Sequence, residues 1–226
     1  NKSITDSITY AKRIQSAILP STSFLKSIFP SYFIYYRPKD IVAGDFYWVD
    51  KTDKHLIFAV ADCTGHGVPG AMVSVVCNNA LNKAVHEFNL FDPGEVLDKT
   101  REIIIKEFSK SDENVQDGMD IALCTILIDE YNQFLAGELD SLNLAFSGAN
   151  NRLWIVRNDD ITEVRPDKFP IGIYSEYKHF TTNHVQLLRN DIIYLFTAGY
   201  VDQFGGPNDK KFLLGRFRKL ILKISD

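Results

Sequence analysis

The stretch at residues 55–72, HLIFAVADCTGHGVPGAM, constrains this chain more than any other. Its first part is short, β-branched and aromatic and is bounded by turn residues, so it reads as a strand. That strand ends on a carboxylate. An unpaired Asp62 after the apolar run LIFAVA carries a large desolvation cost, so it needs a cation or strong hydrogen-bond donors. Gly65, Gly67 and Gly70 then leave the backbone open to close approach of a ligand. Pro69 lies near the first turn of a helical pattern that runs to about residue 88, where a proline is tolerated.

The remaining segments sort by period and punctuation. YFIYYR (32–37) is a second strand candidate, followed by PKDIVAGDFYWVD. Pro93 opens a helix through GEVLDKTREIIIKEF. Strand candidates follow at 119–129, 142–147, 152–157, 180–188 and 191–197, and a last helix at 208–224. The short links between most of these strands favour antiparallel meanders over parallel βαβ units. Strands, two consecutive helices and a run of strands predict an α+β domain with helices covering antiparallel sheets.

Residues 3–19, SITDSITYAKRIQSAIL, read as a helix with Ser3 and Asp6 in the pattern of a capping box and Pro20 as its stop. Ile4, Ile8, Ala11, Gln15 and Ile18 are spaced as a heptad seam with one polar position. The seam fits packing on the helix's own domain, or the end of a longer coiled coil and a homodimer contact. We expect residues 1–20 to be a linker or regulatory helix and 21–226 the main domain, with the natural protein extending upstream to a sensor.

Bulk properties narrow the function classes. A formal charge of −4 argues against nucleic acid and acidic membrane surfaces as partners. No apolar run approaches the ~20 residues a membrane span needs, and no cationic leader precedes a short apolar core. Cys63, Cys77 and Cys124 sit in apolar stretches without zinc-ligand spacing, which fits buried free thiols in a reducing cytosol. We expect a cytoplasmic domain, tethered to a membrane only if upstream segments do so. Trp48 and Trp154 read as core residues.

Asp45 in AGDFYW and Asp62 stand beside small residues at strand ends. Each alone reads as a cap or turn residue, but together they favour a hard cation such as Mg2+ or Mn2+. DCTGHGVPG lacks the lysine of a P-loop and does not fit G-x-G-x-x-G. His66 within it is a turn residue or a donor facing a phosphate. Asp117 and Asp120 precede the strand IALCTILI as turn residues, with an outer-shell metal role as the alternative for either. Asn150 and Asn151 read as a hairpin turn, and Arg37 as half of a surface ion pair, with phosphate binding as its alternative. LFTAGYVDQF (195–204) ends an apolar run on a turn that delivers alanine, Ala198, which can do no chemistry.

The set YAKRIQSAILP, YYRPKDIVAGDFYW, FAVADCTGHGVPGAMVS, DGMDIALCTILID, LAFSGANNRLWIVR, PIGIY and LFTAGYVDQFGG resembles, in order, the SpoIIE-type branch of the PPM (PP2C-like) metal-dependent protein serine/threonine phosphatases. The resemblance implies a sandwich of two antiparallel β-sheets flanked by helices, with two Mn2+ or Mg2+ ions at one end. It implies that a water bridging the ions attacks a phosphoserine or phosphothreonine. Asp62 would bridge both metals, the Cys63 carbonyl and Asp45 would serve the second ion, and the turn after LFT would carry an Asp for the first. Here that position is Ala198, and the family's usual late acid has no recognisable counterpart before Asp226. An engineered change and a natural loss read alike. The expected substrate is a phosphorylated signalling protein, such as an anti-anti-sigma-factor-like partner. Ala198 leaves two readings open, a crippled phosphatase or a catalytically dead phosphoprotein-binding module. A third, an interaction scaffold working through the N-terminal helix, makes no use of the acids.

Overall fold

A computed structural model describes residues 2–110, 113, 115–174 and 176–225. Helices α1 (Lys2–Ile18) and α2 (Thr22–Ile28) precede strands β1 (Phe46–Lys51) and β2 (His55–Cys63). Then come α3 (Gly67–His86), α4 (Pro93–Phe108), β3 (Met119–Leu127), α5 (Ile128–Leu135), β4 (Ser141–Ala149), β5 (Leu153–Arg157), β6 (Asp160–Val164), β7 (Asn183–Leu188) and β8 (Ile192–Leu195). The chain continues through α6 (Ala198–Val201), a ribbon of β9 (Phe204–Gly205) and β10 (Lys210–Lys211), and α7 (Leu214–Ile224).

These elements stack in four layers. One sheet runs β1-β2-β3-β4-β7 and the other β6-β5-β8, with every strand pair antiparallel. Strand alternation divides the side chains between layers. Ile57, Ala59, Ala61 and Cys63 of β2 pack outward with Val73, Cys77 and Leu81 of α3 and Val96 and Leu97 of α4. Leu56 and Phe58 pack inward with Phe146, Leu153 and Ile155, between the sheets. Trp154 and Val156, on the other face of β5, pack with Phe217 and Ile221 of α7. The expected sandwich is therefore present, Trp48 and Trp154 are core residues, and all three cysteines are free and buried.

Several sequence expectations are corrected. Residues 32–37 run without forming a strand; Phe33 and Tyr35 are exposed, with rings against Tyr194 and Tyr200. The first strand is Phe46–Lys51, whose outward Phe46 and Trp48 have the alternation that 32–37 lacks. β3 stops at Leu127 because a separate helix begins at Ile128. The last helix starts at Leu214, not 208, because GGPNDKK turns the β9–β10 ribbon. Asn150 and Asn151 are no hairpin: they carry the chain from β4 in one sheet to β5 in the other. Ser3 lies inside α1, which is already helical at Lys2, so it does not cap it.

Helix α1 is nearly all exposed. Gln15 is its one buried residue, and its amide donates to the Ala43 carbonyl (2.5 Å) and the Ser74 hydroxyl (3.1 Å) while accepting from Ala43 N–H (3.0 Å). The polar interruption of the seam is thus the point where the helix is fastened to the domain.

Candidate active site

Three adjacent strands bring three acids to one end of the sandwich. Phe46 and Trp48 face outward, so Asp45, one residue before β1, belongs to the inward set. Cys63 faces outward, so Asp62 belongs to the inward set as well. Met119 and Ile121 face outward, which leaves Asp120 on the inner face. Asp62 and Asp120 are direct partners in the β2–β3 ladder, and Phe46 pairs with Ala61. The acids at 45, 62 and 120 therefore crowd one sheet edge for a reason of register alone.

The electrostatics follow. The Asp62 and Asp45 carboxyls are hydrogen-bonded to each other, and burial first and Asp45 second raise the Asp62 pKa to about 7. Asp120 adds repulsion, whereas the Ala198 N–H donates to Asp62 and offsets part of it. Burial also raises Asp120, against a hydrogen bond from the Asn150 amide (2.8 Å). Asp45 accepts from the Thr197 hydroxyl at 2.7 Å, and its backbone carbonyl accepts from Tyr36 at 3.0 Å. The turn Thr197-Ala198 thus faces the acid pair from the second sheet, with a hydroxyl on one carboxylate and an amide on the other.

Glycine permits this closeness. A Cβ on Gly44 would stand 2.7 Å from the Gly65 carbonyl oxygen and 3.0 Å from that of Cys63. The Cys63 carbonyl consequently lies against the residue preceding Asp45. Its thiol contacts Cys77, and that contact together with burial raises its pKa. Beside the acids opens a cleft of about 280 Å3, lined by Asp62, Gly65, Gly118, Asp120, Pro170 and Ile173 among others. Among the described residues that line it, none is Lys or Arg.

The donor set suits a hard divalent cation. Its groups are carboxylates and backbone carbonyls, and two carboxyls in contact with a third nearby need a proton or a cation between them. Among the described residues, no three His, Cys, Asp or Glu side chains form a group able to hold a metal ion. His66 is paired outside the acid cluster: its Nδ1 lies 3.0 Å from Asp40 Oδ2, both exposed. Arg37 is exposed and makes no ion pair among the described residues. The sequence reading missed Thr197 and Asn150 as partners of the acids, although TAG and GAN were already visible as turns; the Thr197 contact exists only once both sheets are assembled, and the Asn150 contact only once β3 and β4 pair.

The family profile of Stage II sporulation protein E (SpoIIE) matches residues 52–225, which is most of the chain. The chain belongs to the SpoIIE family. It is by that membership a PP2C-like phosphatase domain. No curated protein matches it. Among solved structures, the SiaA-PP2C domain of Pseudomonas aeruginosa is 29% identical with a TM-score of 0.82, covering 98% of this chain and 82% of that one. The structure of the RsbU and RsbW domains of Rv1364c from Mycobacterium tuberculosis (18% identical, TM-score 0.61) covers 83% of this chain and 48% of that one. The PP2C phosphatase domain of SpoIIE from Bacillus subtilis, solved with a fragment of its regulatory domain, is 16% identical with a TM-score of 0.56. It covers 82% of this chain and 54% of that one. These last two share the fold. Among the described residues no helix is long and apolar enough to cross a membrane.

Proposed function

We propose that this chain is a metal-dependent protein serine/threonine phosphatase domain whose turnover is crippled at position 198. The observation that carries the reading is the Thr197-Ala198 turn, which meets the Asp45–Asp62 pair with hydrogen-bond donors but no third carboxylate. Asp45, Asp62 and the Cys63 carbonyl would hold one Mn2+ or Mg2+, with Asp120 as a further carboxylate beside them. The ion, when bound, supplies Lewis acidity and lowers the pKa of water.

The chain's own groups do the rest. Thr197 orients Asp45, and the Ala198 amide orients Asp62. The cleft beside them admits a phosphoseryl or phosphothreonyl side chain. Since no Lys or Arg is among its described lining residues, phosphate charge there would fall to the cation and not to a side chain. His66, engaged by Asp40, takes no part in proton transfer. The 1–20 segment acts as a regulatory helix on the phosphatase domain at 21–226 and pairs two copies. The substrate is a phosphorylated signalling protein in the cytoplasm, of the anti-anti-sigma-factor type, and an upstream sensor controls the domain.

Ala198 also favours a second reading, a phosphoprotein-binding module without turnover. One experiment separates them: dephosphorylation of a phosphoserine protein with Mn2+, by this chain and by Ala198→Asp. A lost metal ligand costs several kcal/mol of transition-state stabilisation, on the order of a thousandfold in rate. The first reading expects near-zero turnover by this chain and a steep rise in Ala198→Asp when the family's late acid is supplied as well. No turnover by either protein, with substrate still bound, supports the binding module. Equal fast turnover by both removes position 198 from the site.

A further inference from the structure

The segment that leaves β4 carries a side chain into the acid cluster that no part of the proposed reaction yet uses. Asn150 has a left-handed backbone, φ 59°. Backbone bonds fix that conformation: Asn150 N–H donates to the Asp167 carbonyl (2.8 Å) and Asp167 N–H to the Gly148 carbonyl (3.0 Å). Asp167 is itself held. Its carboxylate accepts from Thr181 N–H (2.7 Å) and from the Thr181 hydroxyl (3.1 Å). The neighbouring Phe180 N–H donates to Asp98 on α4 (3.0 Å), where the buried Arg101 is also bound. A rigid scaffold therefore presents the Asn150 amide, which donates to Asp120 Oδ1 at 2.8 Å although Asn150 is itself exposed.

Asparagine tolerates positive φ better than most residues, and that alone would account for its presence. The side-chain contact is a separate observation. A neutral donor on one carboxylate oxygen fixes the group's direction and leaves its charge in place for a cation, whereas a Lys or Arg would cancel it. The nearest cation in sequence, Arg152, is committed to Glu163 (3.0 Å).

We infer that Asn150 is a positioning residue for the cation site, acting through Asp120: it aims the Asp120 carboxylate at the Asp45–Asp62 pair. The inference rests on the metal-holding reading above. Groups that orient metal-site carboxylates typically matter by 10–100-fold in affinity.

The test is Mn2+ titration of the chain by calorimetry, without substrate. Asn150→Gly keeps the positive φ and removes only the amide, and is expected to weaken Mn2+ binding about tenfold. Asp120→Ala should weaken it too, and adding Asn150→Gly to Asp120→Ala should change nothing more. An Asn150→Gly effect that persists undiminished in the Asp120→Ala background, or no effect at all, overturns the inference alone. Should Asn150→Gly fail to fold, the isosteric Asn150→Asp serves: it removes the donor and is expected to weaken binding. Tighter binding by Asn150→Asp would make the residue a direct ligand and overturn the positioning role. Absence of Mn2+ binding by the unmodified chain overturns the metal reading and the inference with it.

Discussion

Replacing Gln15 with Leu tests how α1 is held. The side chain is 6% exposed and makes three hydrogen bonds, two to the backbone of Ala43 and one to Ser74. Leucine keeps most of the volume but leaves the Ala43 N–H and C=O buried without partners. An orphaned buried group costs about 1–3 kcal/mol, and leucine's apolar gain offsets part of two such losses, leaving about 3 kcal/mol. Two other seam positions of α1, Ile8 and Ile18, are only half-buried, so the loss falls on helix docking and not on the core of α3, α4 and the sheets. Hydrogen exchange read by mass spectrometry should show α1 amides opening about a hundredfold faster, with core amides unchanged. Because Ala43 precedes Asp45 by two residues, Mn2+ affinity should fall as well. Unchanged exchange in α1 would refute the idea that Gln15 fastens the helix.

Three further outcomes follow from the same geometry. With alanine at 198, calorimetry should find at most one tight Mn2+ per chain; two tight ions would break the ligand assignment. Asp62, raised in the fold to about 7 from an ordinary 3.8, keeps a proton in the folded state that the unfolded chain loses. Metal-free stability should therefore fall as pH rises from about 4 to 7, and Asp62→Asn should remove that part of the slope in urea unfolding; an unchanged slope refutes it. Charged replacements at Ile8 and Ile18 should abolish self-association without lowering the melting temperature, and a wild-type monomer at every concentration by light scattering would assign the seam to its own domain.

The layers were legible because they rest on local patterns. LIFAVA alternates between two buried faces, GHGVPGAM changes to a helical period at a proline, and Pro93 marks a helix start that the structure keeps, with Asp92 as the cap that accepts from Glu95 N–H at 3.2 Å. YFIYYR was misread because aromatic and β-branched composition describes a segment that packs rings on a sheet as well as one that pairs with it. FYWVDK went unread as a strand because its alternation is short and sits beside charged turn residues. Of the site, Asp45 and Asp62 were visible as acids where apolar runs end. The Thr197–Asp45 and Asn150–Asp120 contacts, across 152 and 30 residues, depend on tertiary assembly and leave no periodic trace. His66 looked functional because glycines surround it, but Asp40, far away in sequence, takes up its ring nitrogen.

Position 198 shows how charge crowding couples this site to stability. Asp45 and Asp62 already touch, and two unit charges 4 Å apart repel by about 4 kcal/mol at an effective dielectric near 20. The fold tolerates the pair by leaving a proton on Asp62 near neutrality and by supplying the Thr197 hydroxyl and the Ala198 amide as donors. A carboxylate on residue 198, on the turn that meets the pair from the facing sheet, would add a third charge beside Asp45 and Asp62. Without a cation that charge destabilises the fold; with one it becomes a ligand, and binding then stabilises by mass action. Ala198→Asp is therefore expected to lower the melting temperature in chelator at pH 8, and Mn2+ should raise it more than it raises that of the alanine form. A melting temperature in chelator that is unchanged by the substitution would place residue 198 outside the reach of Asp45 and Asp62.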